Sequence, residues 1–317
     1  MNSDSTGAGS TADLPILEAL GAALLRGALP GELADFHEAD RASAAAFMAA
    51  CAARRPAGIA LVRVETLGGA LGQRRMRIGV VNDDMPFLVD SVANTIAARG
   101  LTVHRLLHPV LCVTRDDEGC LTALEPDCEE PNRRESMMYL EVDRDDARGR
   151  RDVVAELHRV LADVRAAVAD WRAMQARMRA DADAAGDEEG AALLRWFAGG
   201  AMTLLGYEEE GPKADASEAL GLFRFPGEPT DPDGALGAMR YFEQGGTVPL
   251  LAKAERRSSV HRRVPLDLVV VPVRKGGRVS GIGVHAGLWT SEAMSAAVSD
   301  MLLGTISVVV ASAATLP

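Results

Sequence analysis

The chain lacks most of the signals that announce a function. Positive charge is scarce, with a formal net charge of −11. A surface of that sign opposes binding to a phosphate backbone, so nucleic acid is excluded as a partner. The four cysteines, Cys51, Cys112, Cys120 and Cys128, include no CxxC pair. Their spacing fits no zinc pattern and reads as structural or surface thiols, with reduced, cytoplasmic residence and no metal. The opening MNSDSTGAGSTAD has neither a basic stretch nor an apolar core, which makes it a disordered tail over residues 1–13 and not a signal peptide. The apolar run Ile306 to Ala314 is too short to cross a bilayer, so no membrane contact is expected. Neither a GxxxxGK[ST] phosphate loop nor a GxSxG elbow occurs.

What is present is ordinary core-forming material. With 317 residues, 48% hydrophobic and 25% charged, the chain should form about two domains. Leu14 to Leu29 reads as a helix with Leu17, Leu20, Leu24 and Leu25 on one face, ended by Pro30-Gly31. An Ala-rich second helix is expected from Glu32 to Ala53. Strands follow at Ile59 to Glu65, around a Gly68-Gly69 turn, and at Met76 to Val81. A helix starting near Asp84 or Met85 and stopped by Gly100 leads to a strand from Thr102 to Val113. A short segment near Leu121, a strand from Met137 to Val142 and a helix from Arg151 to about Met178 complete an order close to βαββα. That order implies an antiparallel sheet with helices on one face.

In the long helix, Leu157, Leu161, Val164, Val168 and Trp171 form a stripe that seals either against the sheet or against a second subunit. Acidic residues from Ala180 to about Glu188 read as a linker. The pattern then restarts with a helix from Glu189 to Ala198 and strands at Met202 to Glu208 and Leu220 to Phe225. Pro226 to Gly234 reads as a turn-rich loop. A hairpin follows around Lys275-Gly276-Gly277, with a closing helix from Glu292 to about Leu303. The expected organisation is a tail over 1–13, a helical segment over 14–55, a first α/β domain over 56–179, a linker over 180–188 and a second over 189–317.

Few residues look chemical. Asn82-Asp83-Asp84 ends the second strand, and Pro86 suits a first helical turn, whose amides can hold a small anion. Asp83 and Asp84 read foremost as helix caps, then as part of a ligand loop, and last as an acid-base pair. His104 and His108 are separated by roughly 13 Å if they lie on a strand, too far to share a metal ion without help. Gly281, Gly283 and Gly287 imitate a dinucleotide fingerprint, but at the wrong interval and in a hairpin. Arg256, Arg257, His261, Arg262 and Arg263 form a basic patch in an acidic chain. It is either a solvated surface or an interface for a carboxylate or an acidic neighbour.

A resemblance supplies more. The runs DDMPFLVDSV, LLHPVL, ESMMYLEVDR, LLRWFAGGAMTLLGYEE, SSVHRRVPLD and GLWTSEA occur in the order found in the N-terminal region of the large NAD-specific glutamate dehydrogenases, covering roughly residues 15 to 317. That resemblance implies an α+β fold of tandem ACT-like modules, related to the ferredoxin-like βαββαβ arrangement, behind an N-terminal helical segment. It implies a regulatory or oligomerising role in an enzyme converting glutamate to 2-oxoglutarate and ammonium. Catalytic and NAD-binding domains would lie downstream, leaving no cofactor and no catalytic residue in this chain. The implied partners are an amino-acid effector, the downstream catalytic domain and further copies of the chain.

In ACT modules the ligand loop joins the first strand to the first helix. The matching residues here are Asn82, Asp83, Asp84, Met85, Pro86 and Phe87. Many such loops place glycine beside the proline, where this chain has Phe87 and Leu88. Two further expectations stand beside the regulatory one: an oligomerisation scaffold without a small ligand, and a self-contained enzyme.

Overall fold

The computed structural model describes residues 14–26, 28–68, 75–125, 130–211, 218–225 and 232–291. The expected tail, the closing helix and Cys128 lie outside them. The chain divides into two compact units, Met1–Ala162 and Asp163–Pro317.

Unit 1 opens with three helices, α1 (Leu14–Leu25), α2 (Pro30–Leu33) and α3 (Glu38–Ala52). The single helix expected from Glu32 to Ala53 is therefore broken, with Asp35 in the left-handed region at φ 56. Alanine-rich composition favours helix on both sides of this break and hides it. The strands are β1 (Leu61–Thr66), β2 (Arg75–Asp83), β3 (Val103–Leu107), β4 (Val110–Arg115), β5 (Leu121–Glu125) and β6 (Arg134–Asp143). They form one antiparallel sheet in the order β1-β2-β6-β4-β5, with β3 also paired to β6. The one strand expected from Thr102 to Val113 is split at His108-Pro109, because proline has no amide for the ladder.

Helix α4 (Leu88–Ala98) crosses from β2 to β3. Gly100 ends it as expected, its amide donating to the carbonyl of Ala97 at 2.9 Å. Helix α5 (Ala147–Asp183) is longer than its periodicity indicates and runs through the first four residues of the acidic stretch read as a linker.

Strand alternation explains why this sheet needs two covers. Val81, Met137 and Tyr139 join a core with Leu20 and Leu24 of α1 and Phe47 and Met48 of α3. On the opposite face Ile78, Val80, Met138, Leu140 and Val142 are equally buried, as are Val92 and Ile96 of α4 and Val153 and Leu157 of α5. Arg99, following α4, reaches Glu156 of α5 at 3.3 Å. Helices thus lie on both faces, where one was expected; the apolar face of the N-terminal pair has to be buried as well. Gly79 of β2 permits the close approach of α3, since a Cβ there would stand 2.7 Å from Cys51 Sγ and 2.9 Å from the Phe47 ring.

Unit 2 contains the remainder of α5, α6 (Glu188–Trp196), α7 (Pro232–Glu243) and β7 (Met202–Glu210), β8 (Leu220–Gly221), β9 (Leu250–Arg257), β10 (Pro265–Lys275) and β11 (Arg278–Trp289). Its antiparallel sheet has the order β8-β7-β11-β10-β9. The hairpin around Gly276-Gly277 forms as read, with Lys275 opposite Arg278. Helix α7 begins inside the stretch read wholly as loop, and Leu220 to Phe225 is strand only at its first two residues. Of the α5 stripe, Leu157, Leu161 and Val164 are buried, while Trp171 is 46% exposed.

The cysteines require one correction. Cys51 and Cys120 are free, and burial pushes the Cys51 thiol up to about 12. Cys112, read as a thiol, is disulfide-bonded. A disulfide depends on proximity in space and not on CxxC spacing.

Candidate functional site: the turn between β2 and α4 and the cavity beneath it

The turn from Asn82 to Phe87 is built from the end of β2 outward. Asn82 is fully buried and donates from Nδ2 to the Asp83 carbonyl at 3.0 Å. Asp83 pairs through Oδ1 with Arg55 Nη2 at 2.6 Å. Asp84 pairs with Arg134 at 2.8 Å, and its amide donates to the Arg134 carbonyl at 3.0 Å. Met85 is half-buried and Pro86 exposed.

Helix α4 starts only at Leu88, four residues after Asp84, with Phe87 as its N-cap residue and no side-chain cap. Neither Asp83 nor Asp84, the residues expected to cap the helix, occupies its N-cap position, and each carboxylate pairs with an arginine. Phe87 sits at φ 70, ψ 1, a left-handed conformation that costs a side-chain-bearing residue about 1–2 kcal/mol. The backbone at this position thus has the left-handed geometry that glycine adopts most readily, although the side chain is phenylalanine.

Beneath Asp83 lies a buried ionic group. Arg55, 2% exposed, donates from Nη1 to Glu135 at 2.7 Å and from Nε to the Ile59 carbonyl at 2.7 Å. Arg115 grips the same carboxylate with both Nε and Nη2 at 2.8 Å, and its Nη1 reaches the carbonyls of Ala52 and Gly119. A cavity of about 820 Å³ opens beside this group, with Arg54, Asp117, Glu118 and Arg133 also on its wall. Arg54 donates to the Glu118 carbonyl, while Arg133 donates to the Val113 carbonyl and Thr114 Oγ1 and pairs with Glu125 and Glu130. The arrangement holds the head of the turn rigidly and offers charge of both signs to a small solute.

His108 closes the other side, between β3 and β4, with Nε2 at 2.5 Å from Ser136 Oγ. Burial lowers its pKa, and Asp84 opposes the shift. A folded-state value below the unfolded one makes the neutral ring favourable to folding. That contribution is complete above the ordinary histidine value near 6.5 and is lost as pH falls through the folded value. In an NMR titration the His108 ring is expected to show a midpoint below about 6.5, and Asp84→Asn to move it lower still. A midpoint above the ordinary value would contradict burial as the dominant cause.

The other candidate residues lie elsewhere. His104, on β3, pairs with Asp143 at 2.7 Å, and no cluster able to hold a metal ion is found among the described residues. No helix among them is long and apolar enough to cross a membrane. In the basic patch, Arg262 donates to the Trp289 carbonyl at 2.6 Å, Arg257 donates to the Arg263 carbonyl at 3.2 Å, and Arg256 lies over Phe223 at 5.8 Å. His261 takes a left-handed φ of 62. Gly281, Gly283 and Gly287 lie within β11, hydrogen-bonded between β10 and β7. They do not fit a nicotinamide dinucleotide, whose pyrophosphate needs a glycine turn leading from a strand into a helix.

Sequence reasoning found the turn and missed its support, Arg55, Arg115 and Glu135. A signal was available: Glu135, Tyr139 and Glu141 share one face of an otherwise apolar strand, and a charge on a core face needs a buried partner.

Comparison with known proteins places this geometry. Residues 21–157 match the family described as glutamate dehydrogenase, ACT1 domain. The chain carries that ACT1 domain. The NAD-specific glutamate dehydrogenase of Halomonas elongata is 36% identical over an alignment covering 68% of this chain and 15% of its own length. That of Pseudomonas aeruginosa is 32% identical, covering 71% and 15%. The chain thus spans about 15% of the length of the curated relatives it matches. A solved structure of an RNA-binding light-oxygen-voltage receptor aligns over 88% of this chain and 90% of its own, at 14% identity and a TM-score of 0.20. That score is too low to carry an argument. The ACT1 match takes in the end of α1, all of α2 and α3, the whole first sheet and the turn at residues 82–87.

Proposed function

We propose that this chain is an amino-acid-sensing regulatory region of a longer NAD-dependent glutamate dehydrogenase, and that it performs no catalysis itself. The whole enzyme would oxidise glutamate to 2-oxoglutarate and ammonium, with NAD held by polypeptide outside this chain. The observation that carries the reading is the ACT1 match over residues 21–157, centred on a strand–turn–helix unit whose residue 87 keeps a left-handed backbone. A second ACT-like module in unit 2 belongs to the same proposal, supported by its antiparallel sheet and flanking helices. Regulation would act by population shift, the effector favouring one arrangement of the enzyme in proportion to its differential affinity. Cytoplasmic residence belongs to the same proposal and does not rest on the cysteines, since Cys112 is disulfide-bonded.

Calorimetry with the twenty standard amino acids is expected to give saturable heat for at least one of them, together with a raised melting temperature. Silence across the panel would end the sensing reading. A second reading, an oligomerisation scaffold, rests on Trp171, left 46% exposed on α5; a large exposed aromatic is a common interface anchor. Sedimentation at high concentration tests it, and a strictly monomeric chain would refute it. The basic patch from Arg256 to Arg262 belongs to this reading as a docking surface for an acidic neighbouring domain or subunit.

A further inference from the structure

A cavity borders each end of β6. One end, at Glu135, belongs to the turn described above. The other end, at Glu141, opens into a separate cavity of about 350 Å³ between the α2–α3 break and the sheet. At its base Arg105, 7% exposed, has an Nε that is buried without a hydrogen-bond partner. The guanidinium lies over the Phe36 ring at 4.1 Å. Its one ionic neighbour among the described residues is Glu141, 3.3 Å from Nε but outside hydrogen-bonding geometry. Glu141 is shared further with Arg75 at 3.4 Å and with the Tyr139 hydroxyl, which donates at 3.1 Å. Burial pushes the Tyr139 hydroxyl far up, so it remains a proton donor and cannot neutralise either arginine.

The charges are therefore unequal along the depth of the cavity. The buried Arg105 and the partly exposed Arg75 face one carboxylate, Glu141, leaving one positive charge in excess. Asp35 and Asp40, both exposed, stand on the wall near the opening, and neither takes part in an ion pair with a described residue. A buried cation with unfilled donors is costly unless an anion completes it. A rim of carboxylates would repel a simple anion and attract an ammonium group.

We infer that this cavity binds an α-amino acid as its zwitterion, with the carboxylate on Arg105 and Arg75 and the ammonium toward Asp35 and Asp40. The volume lies at the low end of the range for small-molecule sites and suits a solute of that size. The inference rests on the sensing reading and relocates the effector, from the turn at residues 82–87 to a site formed jointly by the helical segment and the sheet. It also gives the left-handed Asp35 a role, since the break that it makes between α2 and α3 forms part of the cavity wall.

The test is calorimetry on the 317-residue chain, first with each standard amino acid and then with the N-acetyl and carboxamide derivatives of whichever binds tightest. Both derivatives are expected to bind about tenfold more weakly or worse, each losing one charge-assisted contact. Arg105→Gln should abolish binding. Asp40→Asn, on an exposed position that leaves the core untouched, should weaken it by about tenfold. Asp84→Asn, in the turn, should leave the Kd within about twofold. An Asp40→Asn chain binding as tightly as wild type, or an N-acetyl derivative binding as tightly as its parent, would overturn the assignment while the sensing reading stood. Absence of binding by the unaltered chain would remove that reading and this inference together.

Discussion

Replacing Glu135 by alanine is expected to destabilise unit 1 by about 3–5 kcal/mol, the range for removing one partner from a buried ionic group. Glu135 is 4% exposed and accepts from both Arg55 and Arg115. Removing it strands two guanidinium groups whose remaining acceptors are backbone carbonyls and the half-exposed Asp83. The group as a whole need not be a large source of stability, because desolvating three charges offsets most of their attraction. The damage comes from leaving it incomplete. Glu135→Gln, which preserves shape and removes charge, should fall between wild type and Glu135→Ala. Urea denaturation followed by circular dichroism would measure both, and a loss below about 1 kcal/mol for Glu135→Ala would show the arginines to be better hydrated than their burial indicates.

The second large effect is expected at Gly221→Ala. Gly221 lies at φ 58, ψ −128, a combination reserved for glycine. A Cβ there would stand 2.1 Å from the Leu205 carbonyl oxygen, a backbone atom held by the pairing of Gly206 with Gly221. Its amide also donates to Asp170 of α5 at 2.8 Å, and Arg224 binds the same carboxylate. Strain and steric conflict together predict a loss of about 3 kcal/mol or more. All three tryptophans, Trp171, Trp196 and Trp289, fall in unit 2, so fluorescence-detected unfolding reports on that unit directly. Gly237→Ala serves as the control, since nothing lies within 4 Å of its Cβ and its position in α7 predicts a gain of about 0.5–1 kcal/mol. Equal midpoints for the two variants would refute the steric account.

These two sites illustrate what the sequence discloses and what it withholds. Local chemistry was legible: the α+β class, the hairpin at Lys275 to Arg278, the stop at Gly100 and the turn at residues 82–87 all follow from residue type and period. Three-dimensional choices were not. Asp83 and Asp84 have the composition of helix caps, yet arginines distant in sequence claim them and the helix starts later on an uncapped phenylalanine. The break at Asp35 is invisible because alanine favours helix on either side of it. Cover on both faces of the first sheet depends on where α1 and α3 return, which no window of sequence records. The cavities follow from that return, and nothing in the sequence around Arg55, Arg105 and Arg115 marks them as their lining.

The layer formed by α1 and α3 carries a consequence for the descent of such chains. Val81, Leu107, Leu111, Met137 and Tyr139 face that layer and share its core, so the two parts cannot drift independently. A homologue that has shed its leading helices should show polar or charged residues at these five positions. One that keeps them should keep a residue no larger than glycine at position 79, where α3 presses on the strand.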